Sequence, residues 1–279
     1  MGTLNKKIGF IGGGQMGEAI IKGLISAGLF MGDDIYVNVA TDKRIQYMTE
    51  KYGVKVIKVT EGKGYDIIVD ECDIIVLAVK PQVLKGVLEA IKDLPLREEH
   101  LIISIVGGVK TSAIEKYADK TPVIRVMPNT PMLVNAGASG IALGSRAKEK
   151  DGELALTIFK ALGIAYLVPE HLIDPLTSVS GCGPAYAYLM IEAMTDGGVE
   201  MGLTRDMATT LAAQTLMGAA KMVLETKEHP GKLKDNVCSP GGSTIAGVHA
   251  LERGGFRGIV MNAVEAGKIR MEEVGKKAE

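Results

Sequence analysis

Near its start the chain reads Gly12-Gly13-Gly14-Gln15-Met16-Gly17, a G-x-G-x-x-G pattern placed directly after the apolar stretch Ile8-Gly9-Phe10-Ile11. This placement constrains the fold more than any other feature. Six-residue glycine patterns arise by chance, but one that ends a buried strand and opens a helix requires a strand–turn–helix built to approach a phosphate. The helical pattern runs over 15–27 and stops at Gly28. Gly12 would permit the tight turn, Gly14 would let a pyrophosphate near the backbone, and Gly17 would let helix and strand pack closely. Gln15 and Met16 complete the loop, and the free N–H groups of the helix start favour an anion. All five are expected at a dinucleotide.

The next 150 residues repeat the same theme. Val- and Ile-rich runs at 8–11, 35–39, 54–57, 74–79, 101–104 and 123–126 predict strands buried on both faces. Helical patterns lie between them at 15–27, 42–51, 83–94 and 111–117. This alternation predicts a doubly wound parallel sheet, an α/β Rossmann domain. A further strand pair at 139–143 and 165–168, around a helix at 148–162, extends it, giving a first domain over 1–170.

Beyond that point only helices are expected, at 184–201, 205–225, 244–253 and 256–276, giving an all-helical domain over 171–279. Residues 207–220 carry no charge. A helix without a charged face is normally buried all round, and a domain this small needs a second subunit to bury it. A homodimer through the helical domain is the expected assembly.

A dinucleotide site for NAD places an acid at the end of the second strand. Here that strand ends Val37-Asn38-Val39-Ala40-Thr41, followed by Asp42-Lys43-Arg44. Thr41, Lys43 and Arg44 suit the 2′-phosphate of NADP, and NADPH is the expected cofactor with NADH as the second choice. The same residues also fit a plain helix start, with Thr41 or Asp42 as N-cap and solvated cations behind it.

Net charge is −1, from 32 basic and 33 acidic residues, so the chain lacks the basic surplus expected of a nucleic-acid or anionic-membrane partner. No apolar run approaches a bilayer's width. The three cysteines form no C-x-x-C pair, and an odd count argues against a disulfide framework. No secretory signal is recognisable, so a cytoplasmic location is expected. His100, His171, His229 and His249 lack metal-ligand spacing, and no metal is expected.

The segment Ser239-Pro240-Gly241-Gly242-Ser243-Thr244 interrupts helical sequence and then restarts it. Its backbone N–H groups could form an anion nest. A capped helix–helix turn fits equally well. Taken with its flanks, Leu233 to Ile245, the segment closely resembles the C-terminal motif of pyrroline-5-carboxylate reductases. Ala78-Val79-Lys80-Pro81, Met127-Pro128-Asn129-Thr130-Pro131, residues 179–186 and residues 217–222 are also similar to that family. The resemblance spans nearly the whole chain in order.

It implies hydride transfer from NAD(P)H to the C=N carbon of 1-pyrroline-5-carboxylate, giving L-proline as the last step of proline biosynthesis. It implies that Gly242, Ser243, Thr244 and the Ser239 hydroxyl hold the substrate carboxylate, that the Thr244 hydroxyl bonds the ring nitrogen, and that Glu170 lines the pocket. It implies cofactor contacts from Ala78, Val79, Lys80, Pro81, Gly107 and Asn236, and dimers that assemble further into rings. Two positions depart from the family pattern: Tyr65, where Asn is common, and Cys182, where Ser is common.

A protonated imine accepts hydride readily, so orientation and water exclusion are the protein's main task. Cys182 and Cys238 have no activating neighbour in sequence and read as bystanders. Lys80 fits either a proton donor or a cofactor contact, and the second suits this chemistry better. A 3-hydroxyacid dehydrogenase would need a lysine where Ala187 stands. A non-catalytic NADPH sensor is the rival of another class.

Overall fold

The computed structural model describes residues 3–59 and 64–278. The chain forms two compact units, Met1–Gly181 together with Gly267–Glu279, and Cys182–Ala266.

The first unit is built on one eight-stranded sheet, formed by β1 (Ile8–Ile11), β2 (Ile35–Val39), β3 (Lys55–Lys58), β4 (Ile74–Leu77), β5 (Leu101–Ser104), β6 (Val123–Met127), β7 (Gly137–Leu143) and β8 (Gly163–Leu167). Their order is β3-β2-β1-β4-β5-β6-β7-β8. Helices α1 (Gln15–Ser26), α2 (Asp42–Tyr52), α3 (Tyr65–Glu71), α4 (Pro81–Ile91), α5 (Thr111–Glu115), α6 (Glu149–Lys160) and α7 (Ile173–Ser180) follow the strands. Every residue of β1, β2, β4 and β5 is buried. One apolar layer gathers Ile20, Leu24, Phe30, Ile124 and Phe159, and the other gathers Ile68, Leu84, Ile91, Ile102 and Ile114. A sheet with a core on each face must have strands apolar on both sides.

Three features differ from the expectation. The β6–β7 ladder is antiparallel, because the short link from Met127 to Gly137 cannot make the helical crossover a parallel pair needs. That link is a 3-10 turn, Thr130–Val134, closed by Asn135 in the left-handed region. Strand β3 is not buried on both faces: it lies at the sheet's edge and exposes Lys55 and Lys58. Helices α3 and α7, and a short helix over Pro230–Asn236, carry no long apolar period. In α7 the Pro175 ring is tolerated because it falls in the first turn, where backbone N–H groups need no helical partner.

The strand order reverses at β1, with β2 on one side and β4 on the other. Ligands of open α/β sheets bind at such a point, beyond the carboxyl ends of the strands.

The second unit holds α8 (Gly183–Glu200), α9 (Arg205–Thr226), α10 (Pro230–Asn236), α11 (Ser243–Arg253) and the first part of α12 (Phe256–Ala278), up to Ala266. Thr195, Ala208 and Ala212 are its buried positions in α8 and α9. Leu189, Met207, Leu211 and Met217 all stand exposed on the single chain.

Candidate active site

The crevice at the end of β1 is shaped by its glycines. Gly12 has φ +110°, and a Cβ there would lie 2.6 Å from the Ala78 carbonyl oxygen. A Cβ on Gly17 would lie 2.5 Å from the Gly12 carbonyl oxygen, so this glycine makes room for the loop as well as for helix packing. Gly14 faces open space, with no atom within 4 Å of its Cβ position. Gly13 N–H donates to the Asn38 carbonyl at 3.1 Å, and Ala78 N–H donates to the Ile11 carbonyl at 2.9 Å, which ties β1 to β2 on one side and β4 on the other. No side chain caps α1 at Gly14, so its first N–H groups remain available to an anion. A cleft of about 770 Å³ opens here, lined by Gly14, Gln15, Met16, Ala78, Val79 and Lys80, with Glu18 and Thr130 also on its wall. These residues fit a dinucleotide phosphate. Pro81 starts α4 directly behind Lys80, and Gly107 sits in the turn after β5.

The end of β2 is more crowded than its sequence suggests. Thr41 stands at the N-cap position of α2 without a side-chain capping bond. Lys58 neutralises Asp42 at 2.6 Å. Lys43 is exposed and pairs with no described residue. Arg44 is engaged: its Nε donates to the Gly13 carbonyl at 2.9 Å and its Nη2 to the Glu18 carboxylate at 2.6 Å. Glu18, Tyr47 and Tyr52 were not anticipated from sequence. Glu18 lies within the glycine-motif helix and Arg44 beside the second strand, so only the folded chain brings them together.

On the far side of β5, Glu170 is held by Thr111, whose backbone N–H donates at 2.7 Å and whose hydroxyl donates at 3.0 Å. The buried Arg125 on β6 bonds Asp174 at 2.6 Å. Asn129 reads two backbone groups at once, donating to the Ser180 carbonyl at 2.9 Å and accepting from Ala138 N–H at 2.8 Å. These contacts fix the Met127–Pro131 motif and the α7 end to the sheet. Tyr65 is buried at the start of α3, and burial raises its phenol pKa.

Within the second unit, the loop before α11 gathers Ser239, Gly242, Ser243 and Thr244 after Asn236 ends α10. Gly241 turns the chain with φ +67°, and Gly242 N–H donates to the Ser239 carbonyl at 3.0 Å. A Cβ on Gly242 would lie 2.3 Å from the Ser239 hydroxyl oxygen. The helix start carries no side-chain cap, and Ser239, Ser243 and Thr244 are exposed. A tight glycine turn feeding an uncapped helix, with three hydroxyls at its mouth, is suited to a small carboxylate.

The family profile described as pyrroline-5-carboxylate reductase dimerisation matches residues 170–274, and that of NADP oxidoreductase, coenzyme F420-dependent, matches residues 7–108. A pyrroline-5-carboxylate reductase of Methanosarcina acetivorans is 47% identical over 98% of this chain and 99% of its own length. The chain belongs to the pyrroline-5-carboxylate reductase family. The family's crystal structures agree at the level of fold. A Plasmodium falciparum pyrroline carboxylate reductase with NADP bound matches at TM-score 0.86 and 35% identity, covering 98% of this chain and 99% of that one. The Coxiella burnetii pyrroline-5-carboxylate reductase matches at TM-score 0.88 and 36% identity, covering 97% and 98%. The chain is thus an oxidoreductase with a small-molecule substrate. Its dimerisation region contains α8 and α9, and self-association accounts for their exposed apolar side chains. No described helix is long and apolar enough to cross a membrane.

Proposed function

We infer that this chain reduces 1-pyrroline-5-carboxylate to L-proline, with NADPH as preferred reductant and NADH as the second. Its full-length likeness to a reductase 47% identical carries the reading, and the open phosphate loop at Gly12–Gly17 supports it. The bound dinucleotide supplies a hydride to the C=N carbon. The chain's own residues position the reactants. Gly12, Gly14, Gln15, Met16 and Gly17 hold the pyrophosphate, Thr41, Lys43 and Arg44 meet the 2′-phosphate, and Ala78, Val79, Lys80, Pro81, Gly107 and Asn236 contact the remainder. The Gly242, Ser243 and Thr244 amides and the Ser239 hydroxyl anchor the substrate carboxylate, and the Thr244 hydroxyl bonds the ring nitrogen. Backbone donors suit this task, since they hold an anion without setting a full cation beside the iminium. Glu170, expected to line the substrate pocket, has its two oxygens on Thr111, and we assign it to holding the start of α5.

The domain roles follow: residues 1–170 bind NADP, and residues 171–279 bind substrate and dimerise. The dimers assemble into a ring, and the enzyme works in the cytoplasm, a setting that suits its three free cysteines. The deciding test is NADPH oxidation followed at 340 nm, run with pyrroline-5-carboxylate beside a panel of 3-hydroxyacids with NADP+. Turnover with the imine alone is expected. Cofactor binding without turnover would instead establish a sensor.

A further inference from the structure

Glu18 places a carboxylate in the first turn of the phosphate-binding helix, on the wall of the same cleft as Gly14 and Lys80. An anion there opposes the phosphates that the helix N-terminus attracts. The surrounding side chains keep it ionised. Its Oε2 accepts from Arg44 Nη2 at 2.6 Å, and its Oε1 accepts from the Tyr52 hydroxyl at 2.7 Å, the Tyr47 hydroxyl at 2.8 Å and Lys51 Nζ at 3.3 Å. Burial alone would raise its pKa, but the bonds from Tyr52, Tyr47 and Arg44 outweigh that and bring it to about 2. Arg44 is therefore one half of an ion pair before any ligand arrives. Its guanidinium is braced by the Gly13 carbonyl on the phosphate loop and by the Tyr47 ring, 5.0 Å from centroid to Cζ. Its Nη1 bonds no described group.

We propose that Glu18 is a specificity-determining residue, which narrows the distinction between phosphorylated and unphosphorylated dinucleotides by sharing the charge of Arg44. The proposal rests on the assignment of Arg44 and Lys43 to the 2′-phosphate. A phosphate of charge about −1.5 to −2 meets a guanidinium whose field is offset by the carboxylate beside it. It gains one edge of Arg44 and is repelled by Glu18. A 2′-hydroxyl carries no charge and feels neither effect. The arrangement thus penalises NADPH relative to a site with a free arginine, and bears on NADH only through the pyrophosphate that the two cofactors share.

The test is equilibrium binding, read from nicotinamide fluorescence with no substrate present, for NADPH and NADH at low and high salt. Glu18→Gln keeps the shape and removes the charge. Its NADPH dissociation constant is expected to fall about three- to tenfold at low ionic strength, as removal of one like charge at this range predicts. The gain should shrink in about 1 M salt, and the NADH constant should stay within about twofold. Glu18→Ala repeats the measurement with no amide to form new bonds. Tyr52→Phe removes a donor but keeps the carboxylate, and should leave the ratio of the two constants unchanged. Weaker NADPH binding in both Glu18 variants, or equal shifts for both cofactors, overturns the proposal and makes Glu18 only a brace for the loop. Lys43→Ala separates the underlying assignment: an unchanged NADPH constant there removes the 2′-phosphate reading itself. A weakened one, with no gain in Glu18→Gln, removes only the role of Glu18. Turnover of the unmodified protein with pyrroline-5-carboxylate tests the proposed function separately.

Discussion

Thr244 carries one hydroxyl at the mouth of a glycine turn, on a helix start that no side chain caps. Thr244→Val keeps its shape and removes the polar contact. Loss of one well-placed donor in a preorganised site commonly costs about 10²–10³ in rate. The lower end or less is expected here, since the iminium is intrinsically reactive and the carboxylate site is built from backbone. Steady-state kinetics should show the effect in kcat and in the KM for the imine, with NADPH affinity within about twofold. Cys182→Ser and Cys238→Ser should remain active, and a dead Cys238→Ser beside a fully active Thr244→Val would move the chemistry to the thiol. His100 makes a prediction about pH. It is buried, its Nδ1 accepts from Arg97 N–H at 3.1 Å, and its Nε2 has no partner among the described residues. Burial, and then the nearby Arg97, hold its pKa below the ordinary imidazole value. The unfolded chain therefore binds this proton more readily, so stability falls as pH drops through about 6.5. Denaturant midpoints of His100→Gln should lose that part of the acid sensitivity, and an unchanged slope would dismiss the role.

At the scale of elements, glycines serve two different ends. Gly163 begins β8 with φ +147°, and a Cβ there would lie 2.0 Å from the Gly137 carbonyl oxygen of β7. Neither backbone can yield without breaking the β7–β8 ladder, which pairs these two residues. Gly163→Ala should cost about 2 kcal/mol or more in denaturant unfolding. Gly14 has an ordinary φ of −72° and free space around it. Gly14→Ala should leave the unfolding midpoint nearly unchanged and weaken NADPH and NADH binding alike, because its methyl fills the room left for the pyrophosphate. Destabilisation without a change in binding would reverse the assignment.

The whole molecule is more than one chain. Leu211 lies on the charge-free stretch of α9 and is 53% exposed on the single chain. In isolation, Leu211→Glu would therefore cost little. In a dimer whose interface covers it, an unpaired carboxylate would be desolvated at several kcal/mol. Light scattering at micromolar concentration should find dimers or larger in the unmodified protein, and folded, dissociated chains in the variant. A folded monomer from the unmodified protein would refute the interface.

Much of this architecture follows from local pattern. Residues 8–17 announce a strand, a phosphate loop and a helix because each glycine answers a local steric demand. The charge-free 207–220 stretch announces a partner because water would otherwise meet its apolar side chains. Pattern also accounts for the buried runs of β1, β2, β4 and β5, whose two apolar faces imply helices on both sides. Elsewhere the sequence was silent. Strand β3 carries Lys55 and Lys58 at its two ends, but its place at the sheet edge is set by pairing order. The antiparallel β7 depends on how a short link closes over Asn135. Lys43-Arg44 reads as a pair of free cations, yet Arg44 spends its charge on Glu18, 26 residues away in sequence. Glu170 reads as a pocket residue, and nothing local to it shows that Thr111 bonds both its oxygens. Periodicity and turn chemistry act over a few neighbouring residues, so they are written in the order of the chain. Ion pairs and hydrogen bonds depend on separation in space, which for Glu18, Arg44 and Glu170 exists only once the sheet has formed.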